Sequence, residues 1–130
     1  MATERFHNHK IRVASAGAKG RGVFARRALA TGEVIELAPV LALARAESAI
    51  VLQTELGSHV YEIGRGRVAV GLGFASLYNH SFTPNAAFDA SADGIQIRAL
   101  RPIAAGKEIT VDYGWSKQDF AQAGFDPRAK

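Results

Sequence analysis

The chain has 130 residues, 48% apolar and 22% charged, with a formal charge of +4 at neutral pH. Those values describe a globular domain large enough for a modest core, and they exclude a disordered segment. The absence of cysteine excludes disulfides, thiolate nucleophiles and every cysteine-ligated zinc site.

The first ten residues, MATERFHNHK, lack the apolar run of a signal peptide, and no later run approaches a membrane span. A soluble, cytoplasmic protein with no membrane partner is expected. His7 and His9, without a third ligand nearby, read as solvated surface and not as a metal site. Residues 10–16 alternate, Ile11 and Val13 against Lys10 and Arg12, as a half-buried strand does. GAKGRG (17–22) breaks the pattern, and Val23, Phe24 and Ala25 resume as a short strand. Lys19, Arg21, Arg26 and Arg27 are the one close grouping of basic residues, and it lacks the interleaved aromatics of a nucleic-acid surface. No direct nucleic-acid partner is expected.

After a turn at Thr31 and Gly32, EVIELAPVLAL (33–43) begins β-branched, and Pro39 marks an edge or a bulge. Residues 45–58 interleave Glu47, Gln53 and Glu55 with Ile50, Val51, Leu52 and Leu56, which predicts a short helix ended by Gly57. HVYEI and RVAVGL are expected to be strands around a turn at 64–66, and FASLYN a single helical turn. NAAFDA (85–90) and IQIRAL (95–100) form the clearest hairpin, with Asp93 and Gly94 in its loop. RPIAAGKEITV (101–111) is a hairpin-like connection bending at Pro102 and Gly106. The tail from Gly114 is weakly patterned and expected to be mobile unless something docks it. Many short strands, frequent glycine turns and little helix predict one mainly β domain of small sheets.

NHSFTPN (79–85) sets an amide, an imidazole and a hydroxyl side by side between apolar flanks, and Pro84 stiffens the exit. Buried polar groups must find partners, so this density of them suggests a built pocket. Other motifs fall away. GLGFAS (71–76) imitates a dinucleotide fingerprint, but Ser76 replaces the third glycine, no long helix follows and the chain is too short for a doubly wound sheet. GAKGRG has the wrong spacing for that fold, yet it can expose backbone N–H and C=O groups to a ligand. The sequon at Asn79 means nothing without a secretory signal, and His59 reads as structural. Ser81 and His80 are adjacent, which suits no base-to-nucleophile geometry, and no G-x-S-x-G elbow is present. Tyr113 alone would be a core tyrosine with its hydroxyl satisfied at the rim.

In combination, KGRGVFA (19–25), NHSFTPN (79–85) and GKEITVDYG (106–114) resemble, in order and spacing, the SET domain of protein-lysine methyltransferases. The likeness runs from about residue 11 to 115, leaving 116–130 as a short tail of a single domain spanning 1–130. G-x-G alone is weak, whereas N-H-S-x-x-P-N followed by E-[IL]-T-x-x-Y-G is specific. The best likeness is to minimal bacterial or viral members that lack cysteine-rich flanking modules. The resemblance implies the SET β-clip, with a C-terminal pseudoknot in which the last segment passes under a loop formed by an earlier one, an exception to the rule against threading.

It also implies S-adenosylmethionine as cofactor, lying against Lys19, Gly20, Arg21 and Gly22 largely through backbone groups. Asn79 and His80 would hold the opposite side, and Tyr113, matching the family's catalytic tyrosine, would touch the cofactor too. A lysine-containing protein or peptide would enter from the other face through a narrow channel, with Tyr61, Tyr78, Phe88 and Trp115 as candidates for its wall. No metal is implied. Phe88 falls where some members have a channel tyrosine, which leaves room for methylation beyond the first. Phe82 stands where many members have cysteine, and the tail, with Phe120 and Phe125, carries no family signature. A non-catalytic SET-like module binding a peptide or cofactor is the alternative reading, and a scaffold without cofactor binding a third. A homodimer could complete the channel of so small a chain.

Overall fold

A computed structural model describes residues 6–114 of the chain. Strand β1 (Ile11–Ser15) pairs antiparallel with β2 (Arg21–Ala25), in register from Ile11 opposite Ala25 to Ser15 opposite Arg21. The ladder partner at Ser15 draws β2 back to Arg21, two residues before its apolar pattern begins. A single 3-10 turn, Gly17–Lys19, closes the hairpin, and Gly20 leaves it at φ +84, a conformation natural only to glycine.

The run 33–43 divides at its proline. Before Pro39, β3 (Val34–Ala38) is the edge of a three-stranded sheet, and after it β4 (Val40–Ala42) is the edge of another. The register of β3 also shifts between Val34 and Glu36. An imino residue without an N–H is tolerated at such a crossing, as the sequence led us to expect. The predicted helix is shorter than its pattern. Helix α1 (Arg45–Val51) stops early, where the Thr54 hydroxyl (2.6 Å) and N–H (2.9 Å) both claim the Val51 carbonyl. Gly57 therefore does not end the helix. It lies in a separate 3-10 turn, Glu55–His59, where a Cβ would come within 2.8 Å of the Leu52 carbonyl oxygen.

β5 (Val60–Gly64) and β6 (Arg67–Gly71) form the expected hairpin and join β4 in the order β4-β6-β5. Residues 75–77 make the expected single turn, which leads into the two-residue strand β7 (Asn79–His80). β8 (Ala86–Ser91) and β9 (Gly94–Ala99) pair along their full length, with Gly94 opening β9 instead of sitting in the loop, and join β3 in the order β3-β9-β8.

The connection 101–111 is where the topology departs most from its local pattern. Pro102 cannot continue the ladder, the chain bridges at Ile103 to Leu29, and Gly106 (φ +87) turns it away. Its last strand, β10 (Glu108–Val111), pairs antiparallel with β2 and parallel with β7, giving the order β1-β2-β10-β7. A late strand set between an early and a middle one is what the β-clip with its C-terminal pseudoknot requires. Ile109 and Val111 bring their side chains to the core beside Ile11, Val23, Ala25, Ile35, Ile95 and Ile97, all buried. No helix among the described residues is long and apolar enough to cross a membrane. Trp115, Phe120, Phe125 and the tail's expected mobility lie outside the described residues.

Candidate active site

The three segments singled out in the sequence meet along β10. Asn79 donates from Nδ2 to the Arg21 carbonyl (2.9 Å) and to Glu108 Oε2 (2.7 Å). The other Glu108 oxygen holds Lys19 Nζ at 2.5 Å. Gly22 lies directly against this group: a Cβ there would fall 2.5 Å from Glu108 Oε2 and 2.8 Å from Asn79 Nδ2. Asn85 then behaves as a piece of strand. Its Oδ1 accepts the Thr110 N–H (2.9 Å) and its Nδ2 donates to the Glu108 carbonyl (2.8 Å). The Ser81 N–H adds a bond to the Val111 carbonyl at 2.9 Å. The side chains of Asn79 and Asn85 thus help fix the C-terminal segment, whereas the Ser81 and Thr83 hydroxyls bond within the motif.

His80 is 5% exposed, and its Nδ1 accepts the Tyr113 N–H at 3.0 Å. The neutral ring therefore carries its proton on Nε2. Burial lowers its pKa, and the Asp112 carboxylate, 3.7 Å from Nδ1, opposes that only in part. The Tyr113 ring leans on the imidazole, centroids 5.2 Å apart, and its hydroxyl donates to the Tyr78 carbonyl at 2.7 Å. Burial, then the nearby Glu108 charge, pushes the Tyr113 hydroxyl up to about 12. At neutral pH it is a phenol.

Beside Tyr113 lie two more tyrosines and a carboxylate. Tyr61 donates its hydroxyl to the Ala75 carbonyl and meets the Phe88 ring edge-on, centroids 4.9 Å apart. The Tyr78 ring is 2% exposed, and its hydroxyl donates to Glu36 Oε1 at 2.9 Å. Glu36 Oε2 accepts the Phe74 N–H at 2.8 Å. Burial raises the Tyr61, Tyr78 and Glu36 pKa values alike.

Comparison with known proteins decides the family, because residues 20–114 match the SET domain. This chain belongs to the SET-domain family. A histone-lysine N-methyltransferase, H3 lysine-37 specific, from Schizosaccharomyces pombe is 32% identical over 111 residues, covering 81% of this chain and 76% of that protein. A crystal structure from Plasmodium falciparum, of a chain assigned as a histone methyltransferase, superposes with a TM-score of 0.70 at 28% identity. It covers 85% of this chain, which covers 97% of that one. The SET domain brings its chemistry with it: the protein is a protein-lysine methyltransferase dependent on S-adenosylmethionine. No feature favours the non-catalytic reading.

Within this SET domain the expected residues fall into two groups. Lys19, Gly22, Asn79 and the Arg21 carbonyl are joined through Glu108. Gly20 is less available than expected, since its N–H bonds the Gly17 carbonyl (3.0 Å) and its carbonyl accepts the Ala16 N–H (2.7 Å). Tyr61, Phe88, Tyr113 and the Tyr78 carbonyl form the second group, while the Tyr78 hydroxyl turns away to Glu36. His80 stands between the groups, bonded to the Tyr113 backbone. Sequence reasoning passed over Glu36, Asn85 and Glu108. A signal for Glu36 was present: it is the lone charge between Val34 and Leu43, where a partly buried carboxylate needs donors.

Proposed function

We propose that the protein methylates the side-chain amine of a lysine in a basic protein segment, with Tyr113 orienting the amine. The observation that carries this reading is the bond from the Tyr113 hydroxyl to the Tyr78 carbonyl, at 2.7 Å. With its proton given to Tyr78, the phenol oxygen presents only lone pairs to an incoming amine. It accepts an amine N–H and fixes the direction of the nitrogen lone pair. Kept protonated by burial, it is no general base, so the lysine proton leaves to water. A free lysine costs about 4–5 kcal/mol to neutralise at pH 7. The apolar walls supplied by Tyr61 and Phe88 disfavour the ammonium and reduce that cost.

The residues at the first group suit S-adenosylmethionine, whose sulfonium is a cation. Lys19 is neutralised by Glu108 and His80 is held neutral by burial, so neither repels it. The space over Gly20 is open, with no atom within 4 Å of where a Cβ would stand. Lys19, Arg21 and Gly22, with Asn79 and His80 opposite, would hold the cofactor, which supplies an electrophilic methyl group. Phe88 offers no hydroxyl to bind an extra water or amine proton, which supports products beyond monomethyl-lysine.

Radiolabelled methyl transfer to a panel of basic proteins, histone H3 first because the fission-yeast relative acts there, tests the reading. Tyr113→Phe should lower turnover roughly 100-fold or more while cofactor affinity stays within a few-fold. Equal labelling by the variant would remove Tyr113 from the chemistry. Cofactor binding without labelling of any panel protein would favour the binding module.

A further inference from the structure

We propose that Glu36 is a positioning residue for methyl transfer: by clamping the turn at 74–78 it sets the Tyr78 carbonyl, and through it the Tyr113 hydroxyl. This rests on the reading of Tyr113 as the group that orients the amine.

Glu36 lies on the edge strand β3, outside the three SET motif segments, in a run that is otherwise apolar. Such a carboxylate is costly to bury unless donors meet it. Two do, and they come from the two ends of one turn. The Phe74 N–H reaches Oε2 at 2.8 Å, and the Tyr78 hydroxyl reaches Oε1 at 2.9 Å. Between these residues runs the 3-10 turn Ala75–Leu77. Its first residue offers a carbonyl to the Tyr61 hydroxyl, and Tyr78, just past its end, offers one to the Tyr113 hydroxyl. Both hydroxyls on the amine side of the site therefore take their places from carbonyls of a turn that a single side chain holds at each end.

A glycine in the left-handed region also lies close to the carboxylate. Gly73 sits at φ +64, and a Cβ there would lie 2.6 Å from Glu36 Oε2. Side chains holding an orienting group commonly matter as much as the group, because small misplacements of a reacting atom are expensive.

The chain has three tyrosines, Tyr61, Tyr78 and Tyr113, so a ¹³C label at tyrosine Cζ gives three resonances that Tyr→Phe variants assign. In Glu36→Leu we expect the Tyr113 resonance to shift as its bond to the Tyr78 carbonyl changes. In the methyl-transfer assay, kcat should fall roughly 10- to 100-fold with both KM values within about threefold. Glu36→Gln, which keeps an acceptor for Phe74 and offers a donor to Tyr78, should recover part of the loss. Tyr78→Phe removes one clamp bond while keeping the ring, and guards against a Glu36→Leu that does not fold. It too should lower kcat and move the Tyr113 resonance. An unmoved Tyr113 resonance in folded Glu36→Leu or in Tyr78→Phe would overturn the proposal, as would a loss carried by KM. If the wild type labelled no lysine, the methyltransferase reading would fall and the resonance would still decide whether Glu36 positions Tyr113.

Discussion

His80 has its Nδ1 committed to the Tyr113 N–H and its ring enclosed by Tyr113 and Phe82. Its protonation would cost one of the bonds that join the two motif segments. Because burial holds its pKa below the ordinary 6.5, the unfolded chain takes up the proton first as pH falls. The stability contributed by the neutral ring is complete above pH 6.5 and erodes from there down toward the lower folded value. Urea midpoints should therefore fall more steeply below pH 6.5 in wild type than in His80→Gln, and parallel curves would refute this. The roles of single residues were legible in unequal measure. Asn79 and His80 declared themselves because polar groups between apolar flanks need explaining, whereas Tyr113, alone a core tyrosine, stood out only through the SET resemblance. Glu108 stayed silent, since a glutamate alternating along a strand looks like a solvated outer face. Only the register, which sets it beside Gly22 and Asn79, shows otherwise.

A strand's partners depend on more than its own pattern. The β5–β6 and β8–β9 hairpins were readable because their turns are local, one of them with Gly64, Arg65 and Gly66 all at positive φ. Nothing local in 101–111 says that β10 abandons β9 and seats itself between β2 and β7. That choice is made by distant partners, and Asn85 is among the strongest. Its amide supplies β10 with the two bonds that a neighbouring strand would give. Asn85→Ala should cost about 1–3 kcal/mol, since it strands the Thr110 N–H and loses the bond to the Glu108 carbonyl. Thermal or urea unfolding reads this directly. A loss under ~0.5 kcal/mol, the range of ordinary surface changes, would show that water replaces the amide. The helix expected over 45–58 formed but fell short for a related reason: the spacing of its apolar residues carried no sign that Thr54 would close it early.

At the scale of the molecule, two of the three small sheets among the described residues share one buried cluster, and the third packs Val40 and Tyr61 against it. The proposed cofactor side, at 19–22 and 79–80, and the proposed amine side, at 61, 78, 88 and 113, are joined through His80 and β10. We therefore expect unfolding followed by circular dichroism and by loss of cofactor binding to trace one coincident transition. Two separated transitions would divide the chain into independent units. The position of β10 has a further consequence during synthesis. A ribosome makes β2 and β7 well before Glu108–Val111, so each waits with an unpaired edge while translation continues. The nascent chain is thus exposed to wrong pairing during that interval and depends on a late segment to end it. With the proposed role of Tyr113, the same delay keeps it catalytically silent, because the group that orients the amine is made after every other part of the proposed site.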